Sequence, residues 1–189
     1  MNSSSHPALL RAAHSSLLVV DVQERLLPHI DGWQQLQRRV LWLVRLAQRL
    51  AVPVMASEQY RQGIGATVAA IASELPAGAV VEKRHFSCVA AGCLAPLPAY
   101  ARPQIVVCGI EAHVCVLQTV LDLLHQGKQV FVVADAVGSR TADDRRLALE
   151  RLARHGAEIV STEMVAFEWL HEASTDRFRT IHREFLRGC

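Results

Sequence analysis

Short runs of buried-type aliphatic residues alternate with longer amphipathic stretches along the whole chain, and this constrains the fold more than any other feature. "LLVVD" from Leu17, "VPVMAS", "AVVEK", "QIVVCG", "QVFVVAD" and "AEIVS" read as strands that are apolar throughout. Strands facing water on one side would alternate apolar and polar residues, so continuous apolar runs imply a parallel sheet covered on both faces. Helices separate them. In "GWQQLQRRVLWLVRLAQRLA", Leu36, Val40, Leu43, Val44, Ala47 and Leu50 recur on one face at helical spacing. A small helix is expected around Ala66 to Glu74, and another after Cys115, ending near Gly127. "DDRRLALERLARHG" has acids in its first turn, bases in its last and a closing glycine, the punctuation of a complete helix. The pattern predicts one doubly wound, Rossmann-like domain of three α/β/α layers spanning residues 1–189.

The chain of 189 residues is 51% hydrophobic, enough for a substantial core. Its formal charge is +2, with bases and acids interspersed. No basic stripe with interleaved aromatics supports a nucleic-acid partner, and no apolar run reaches the roughly 18–20 residues that would span a membrane. Five cysteines at irregular spacing make no disulfide framework, so a reducing cytoplasm is the expected location. Residues 1–14 are expected to be a frayed terminus.

In a doubly wound sheet, ligands bind at the carboxyl ends of the strands. There Asp21 closes "LLVVD", Lys83 closes "AVVEK", Asp135 closes "QVFVVAD", and Cys115 lies just beyond "QIVVCG". Any one polar strand end is unremarkable, because the chain returns to water there. Several on one rim place a carboxylate, an ammonium and a thiol together. Lys83 stands out for a second reason: the chain has two lysines, Lys83 and Lys128, against eighteen arginines. A compact ammonium at this position serves a purpose that a planar guanidinium would not.

Of the two cysteines in "CGIEAHVC", Cys108 lies within a strand run and reads as a small buried hydrophobe. Cys115 falls in the first turn of the next helix. The helix dipole and Lys83 are expected to lower its thiol pKa below the free value of about 8.5. A nucleophile on a strand-to-helix turn, with a base, a cation and backbone N–H groups beside it, fits acyl transfer through a thioester. Other thiol chemistries lack their residues. Cys-x-x-Cys is absent, Leu121 occupies the place six after Cys115 where a thiol phosphatase needs arginine, and no cysteine spacing suits zinc. The first βα turn, "VVDVQERLLP", has no glycine with which to cradle a dinucleotide.

"LLVVDVQERLLPHI", "SEQYRQGIGAT", "VEKRHFSC", "VVCGIEAHVCVLQTVLDLLHQG" and "VFVVADAVGSR", in that order from about Leu17 to Gly156, resemble the isochorismatase-like hydrolase superfamily in its cysteine-hydrolase branch. The likeness is greatest to isochorismatase-domain proteins of unassigned substrate. It implies a six-stranded parallel sheet and an Asp21–Lys83–Cys115 triad. It also implies a cis peptide at Ile110–Glu111 and an oxyanion hole made by the N–H groups of Glu111 and Cys115. Gln23, Tyr60, Phe86 and Val114 become candidate substrate contacts. Glu111 is expected to act through its backbone, His113 to pack or line the pocket, and Asp135 and Arg140 to order the loop beside the site.

Two departures from the family pattern matter. Members that hold a metal carry an Asp-x-His cluster after the second strand, where this chain has "SEQYRQGIG"; no metal and no cofactor are expected. Members that cleave a vinyl ether typically lack the cysteine, so Cys115 favours an amide, carbamoyl or ester bond in a small molecule. Relatives with "EQY" often follow it with proline. Arg61 stands there instead and reads as a surface charge. Two other functions stay open: an assembly protein that keeps the fold with little activity, or a vinyl-ether hydrolase working through Asp21. The resemblance further implies a homo-oligomer, with residues 167–189 a candidate for subunit contact.

Overall fold

The computed structural model describes residues 9–186. Six strands, β1 (Ser15–Val20), β2 (Val54–Gln59), β3 (Val80–Lys83), β4 (Gln104–Ile110), β5 (Gln129–Gly138) and β6 (Glu158–Val160), form one sheet in the order β3-β2-β1-β4-β5-β6. Every pairing is parallel. Because side chains alternate along a strand, each strand feeds two cores. Leu17, Val19, Val106, Cys108, Phe131 and Val133 pack on one face against α1 (Trp33–Arg49) and α6 (Thr162–Leu170). Leu18, Val20, Ile105, Val107, Val130 and Val132 pack on the other, against α4 (Leu117–His125) and α5 (Ala142–Arg154). Continuous apolar runs are therefore what a sheet with two covered faces demands.

From β1 the chain winds outward through β2 to β3, then returns to place β4 on the other side of β1. The strand order reverses between β1 and β4, and the crevice at such a reversal is where open α/β sheets bind ligands. Gly109 makes this junction possible. It pairs with Val20, and a Cβ at Gly109 would lie 2.1 Å from the Val20 carbonyl oxygen. Its φ of +116° is in any case one that side-chain-bearing residues rarely adopt.

Several boundaries differ from the sequence-based expectations. The helix expected around Ala66 to Glu74 is the single turn α3 (Ala69–Ala72), preceded by α2 (Arg61–Ile64). Residues 9–14, within the segment expected to fray, are docked: Leu10 is fully buried, its N–H donates to Glu168, and that of Arg11 donates to Gln104. Residues 1–8 lie outside the described residues. β5 does not end at Asp135. After an irregularity in register, Val137 and Gly138 pair with Gly109 and Ile110, so the strand runs three residues further. Asp135 instead faces α6, accepting from the Thr162 N–H at 2.8 Å and its hydroxyl at 2.7 Å, with Arg39 3.5 Å away. It braces a helix and takes no place on the strand-end rim.

Beyond α6, α7 (Asp176–Ile181) folds back onto α1. Ile181 is buried, Trp42 meets Phe185 edge to face, and Arg49 pairs with Glu184. No helix of the described residues is long and apolar enough to cross a membrane.

Candidate active site

Asp21 follows β1 directly, in the left-handed region (φ 50°). Its N–H donates to the Ser57 carbonyl at 3.1 Å, which fixes the turn against β2. The side chain has no exposure to solvent. Oδ1 accepts from the Ser57 hydroxyl at 2.7 Å and Oδ2 from the Lys83 ammonium at 2.8 Å. Lys83 ends β3, and a second of its protons goes to Gln59 Oε1 at 2.7 Å. The Gln59 amide is oriented in turn by donation from Nε2 to the Arg84 carbonyl at 2.8 Å. With two of three ammonium protons so placed, Lys83 and Asp21 both lie close enough to Cys115 to act on its thiol. The structure brings Asp21, Lys83 and Cys115 together at the switch point between β1 and β4, each 5% exposed or less.

Cys115 is not in the first turn of α4. It lies in a π-helical turn, Ala112–Val116, wound around the Glu111 carbonyl, which accepts from Val114 and Val116 at 3.1 Å each. The Ile110–Glu111 peptide that leads into the turn is cis. Arg140 pairs with the Glu111 carboxylate at 2.8 Å, and His113 Nδ1 lies 3.0 Å from the Ser139 hydroxyl, so the segment after β5 is tied to the turn at two points.

Protonation differs from the dipole-based expectation. Burial pushes the Cys115 thiol up, the Asp21 carboxylate beside it pushes the same way, and Lys83 only partly opposes them. A helix dipole and one cation do not outweigh desolvation plus a neighbouring anion. Burial also raises Asp21, overcoming the opposite pulls of Lys83, Ser57 and Cys115. For Lys83, burial works against the charged form, but attraction to Asp21 and Cys115 prevails and holds its pKa above the ordinary lysine value. The thiol thus holds its proton more tightly than usual, beside a carboxylate that is itself more basic than usual.

The remaining candidates divide. Gln23 is buried, and its amide is spent on the main chain: Oε1 accepts from Gln59 N–H at 2.7 Å, while Nε2 donates to the carbonyls of Gln59 and Gly65 at 3.1 and 2.6 Å. It clamps the β2 end rather than offering a polar group to a substrate. Tyr60 is exposed under the Arg84 guanidinium, 5.5 Å from its ring. Phe86 is exposed in an open cleft of about 460 Å³ that it shares with Ser87, Gln118 and Asp122. Val114 is half-buried within the turn itself. Arg61 donates to the buried Glu58 carboxylate at 2.9 Å, and Thr67 satisfies the other Glu58 oxygen from both its N–H and its hydroxyl. The Glu58 carboxylate is thus committed to the protein.

Three residues of the site carried no signal in the sequence: Ser57, Gln59 and Cys88. The first two lie inside β2, where polar residues are read as exceptions to an apolar run. Cys88 lies in the loop after β3, fully buried and in the field of Lys83.

A doubly wound sheet with a buried carboxylate, ammonium and thiol at its switch point narrows the class to α/β proteins with a cysteine-centred site. The Isochorismatase domain family matches residues 15–164, and the chain belongs to that family. It is 35% identical to isochorismatase domain-containing protein 2 of Pongo abelii, over 96% of this chain and 88% of that one. It is 38% identical to the secreted isochorismatase effector Isc1 of Phytophthora sojae, over 90% of this chain and 84% of the other. Among solved structures, that of the MAR1 ribonuclease from Caenorhabditis elegans superposes with a TM-score of 0.87 at 31% identity, covering 95% of this chain and 93% of that one.

Proposed function

We propose that the protein is a cofactor-free hydrolase that cleaves an amide or carbamoyl C–N bond of a small molecule through a thioester on Cys115. The observation that carries this reading is a buried carboxylate held by an ammonium 2.8 Å away, with the buried Cys115 thiol in the field of both. Asp21 takes the thiol proton as sulfur attacks the carbonyl carbon, so the thiolate forms only when an electrophile is there to receive it. Lys83 stays positive throughout and balances the charge that moves from oxygen to sulfur. The tetrahedral oxyanion rests on the N–H groups of Glu111 and Cys115. Asp21 then protonates the leaving amine, and the same carboxylate activates the water that hydrolyses the thioester.

The near-complete enclosure of the three groups favours a small acyl donor over a polymer. It therefore weighs against carrying the ribonuclease activity named for the nematode relative over to this chain. Four described cysteines are free thiols, which supports a reducing location such as the cytoplasm.

Incubation with an electrophilic acyl analogue, followed by peptide mass mapping, is expected to place one label on Cys115. Label on Cys88 or Cys108 instead removes the nucleophile from the scheme. A panel of small amides and ureido acids, run with Cys115→Ala as control, separates the alternatives. Turnover abolished in the variant supports the thioester route. Equal near-zero turnover in both proteins points to an assembly role, and activity that survives Cys115→Ala but not Asp21→Ala points to vinyl-ether hydrolysis.

The reading includes a homo-oligomer. Met164 and Phe167 present apolar surface on α6, next to the C-terminal segment. Sedimentation equilibrium at micromolar concentration is expected to give a mass at least twice the 20.8 kDa of one chain; a monomer mass ends this part of the proposal.

A further inference from the structure

Two further thiols adjoin the site. "CVAAGC" places Cys88 and Cys93 five residues apart in the loop after β3. Ala91 N–H donates to the Ser87 carbonyl at 3.1 Å and Gly92 N–H to that of Val89 at 2.9 Å, while Gly92 takes a left-handed φ of 66°. These turns bring the chain back on itself. The Cys93 thiol lies 3.3 Å from the Cys88 carbonyl, to which it donates, and each thiol shifts the other's protonation.

The two sulfurs sit in unlike surroundings. Cys88 is fully buried, with its N–H held by the Thr119 hydroxyl at 3.0 Å; Cys93 is half-buried. Contact with Cys93 lowers the Cys88 thiol, and Lys83 adds to this against the cost of burial. The same contact raises Cys93. Two thiols so linked titrate as a pair, and loss of the first proton leaves one negative charge between them. Cys115, by contrast, holds its proton, and Cys108 is buried with its thiol pushed up by desolvation.

We propose that Cys88 and Cys93 form a reversible thiol–disulfide site that takes low-molecular-weight disulfides as its oxidant, with Cys93 the entry sulfur and Cys88 the resolving sulfur. In the first step Cys93 passes its proton to the Cys88 thiolate as its sulfur attacks one sulfur of the small disulfide; the disulfide's S–S bond breaks and one small thiolate leaves. In the second, deprotonated Cys88 attacks the Cys93 sulfur of the mixed disulfide and expels the other small thiolate. The protein gives up two protons and two electrons, and the reagent leaves as two thiols. The turn already holds the Cys93 sulfur against the Cys88 main chain, so closure requires the two sulfurs to turn toward each other and draw in to the bond length of about 2.05 Å. Cytosolic disulfides are typically transient and redox-sensing, so such a site is compatible with a reducing compartment.

The test treats the native full chain with oxidised glutathione, quenches with acid, alkylates the remaining thiols and maps the product by mass spectrometry. The wild-type protein is expected to lose the mass of two hydrogen atoms, with the bridge between Cys88 and Cys93 and full reversal by dithiothreitol. Cys88→Ala is expected to stop at a stable glutathione adduct on Cys93, and Cys93→Ala to form neither adduct nor bridge. A wild-type chain that stays reduced, keeps a lasting adduct, or bridges through Cys108 or Cys115 overturns the proposal. The wild-type result decides the matter even if a variant fails to fold, and it does not depend on whether the protein hydrolyses anything.

Discussion

An Asp21→Asn variant is expected to lose turnover by about 10²- to 10⁴-fold, the usual contribution of a positioned acid–base group, while its Cys115 alkylates faster at neutral pH than that of the wild type. The two effects have one cause. In the wild-type site burial, and after it the Asp21 carboxylate, raises the thiol pKa, so below that raised value the sulfur stays protonated and unreactive towards simple alkylating agents. A neutral amide removes the anion but leaves Lys83 in place. The ammonium then has the thiolate as its natural counter-ion, and the thiol pKa falls. The sign is fixed: a lower pKa means more thiolate at a given pH, hence faster labelling. The variant has nonetheless lost the group that accepts and returns the proton during amide cleavage. Iodoacetamide labelling of Cys115 followed by mass across a pH series gives the midpoint for each protein. The wild-type midpoint is expected above the free-thiol value of about 8.5, and that of Asp21→Asn below the wild-type one. Labelling that is unchanged or slower in the variant means that Asp21 does not hold the thiol proton, and the thioester scheme loses its base.

The sheet and the three central side chains were legible in the sequence because each left a local mark. Continuous apolar runs can only be strands covered on both faces, and Asp21 and Lys83 each interrupt such a run at its end. The rarity of lysine made Lys83 more visible still. Lys128 fits the same logic, since its ammonium donates to two carbonyls, those of Tyr100 and Arg102. What stayed hidden depends on neighbours that only the topology supplies. Gln59 and Ser57 gain their roles because β2 lies between β1 and β3, so that their side chains reach Asp21 and Lys83 across strands. Asp135 was misplaced because the register irregularity that prolongs β5 is a property of its pairing with β4, invisible in "QVFVVAD" alone. The thiol pKa was misjudged for a related reason. A helix terminus and a cation can be inferred from sequence order, whereas the depth of burial that outweighs them cannot.

If the reversal between β1 and β4 is what holds Asp21 against the Cys115 turn, Gly109→Ala is expected to damage the fold more than any other glycine-to-alanine change outside the core of a helix. The added methyl would lie 2.1 Å from the Val20 carbonyl oxygen and 2.6 Å from the Val20 nitrogen, both main-chain atoms of the neighbouring strand. Neither can swing away as a side chain would, so β1 and β4 must separate or the residue must abandon its φ of +116°. Overpacking of this kind costs about 1–3 kcal/mol or more, and the left-handed backbone adds about 1–2 kcal/mol. Against a total stability of about 5–15 kcal/mol, the sum lowers the melting temperature by on the order of 10 °C in a domain of this size. Gly78→Ala supplies the comparison, since Gly78 also has positive φ (76°) but nothing within 4 Å of a Cβ; its loss should be confined to the backbone cost. Thermal unfolding followed by circular dichroism distinguishes the two. Equal, small losses would show that β1 and β4 yield without strain, and the close contact at Val20 would then set neither the stability of the sheet nor the position of Asp21.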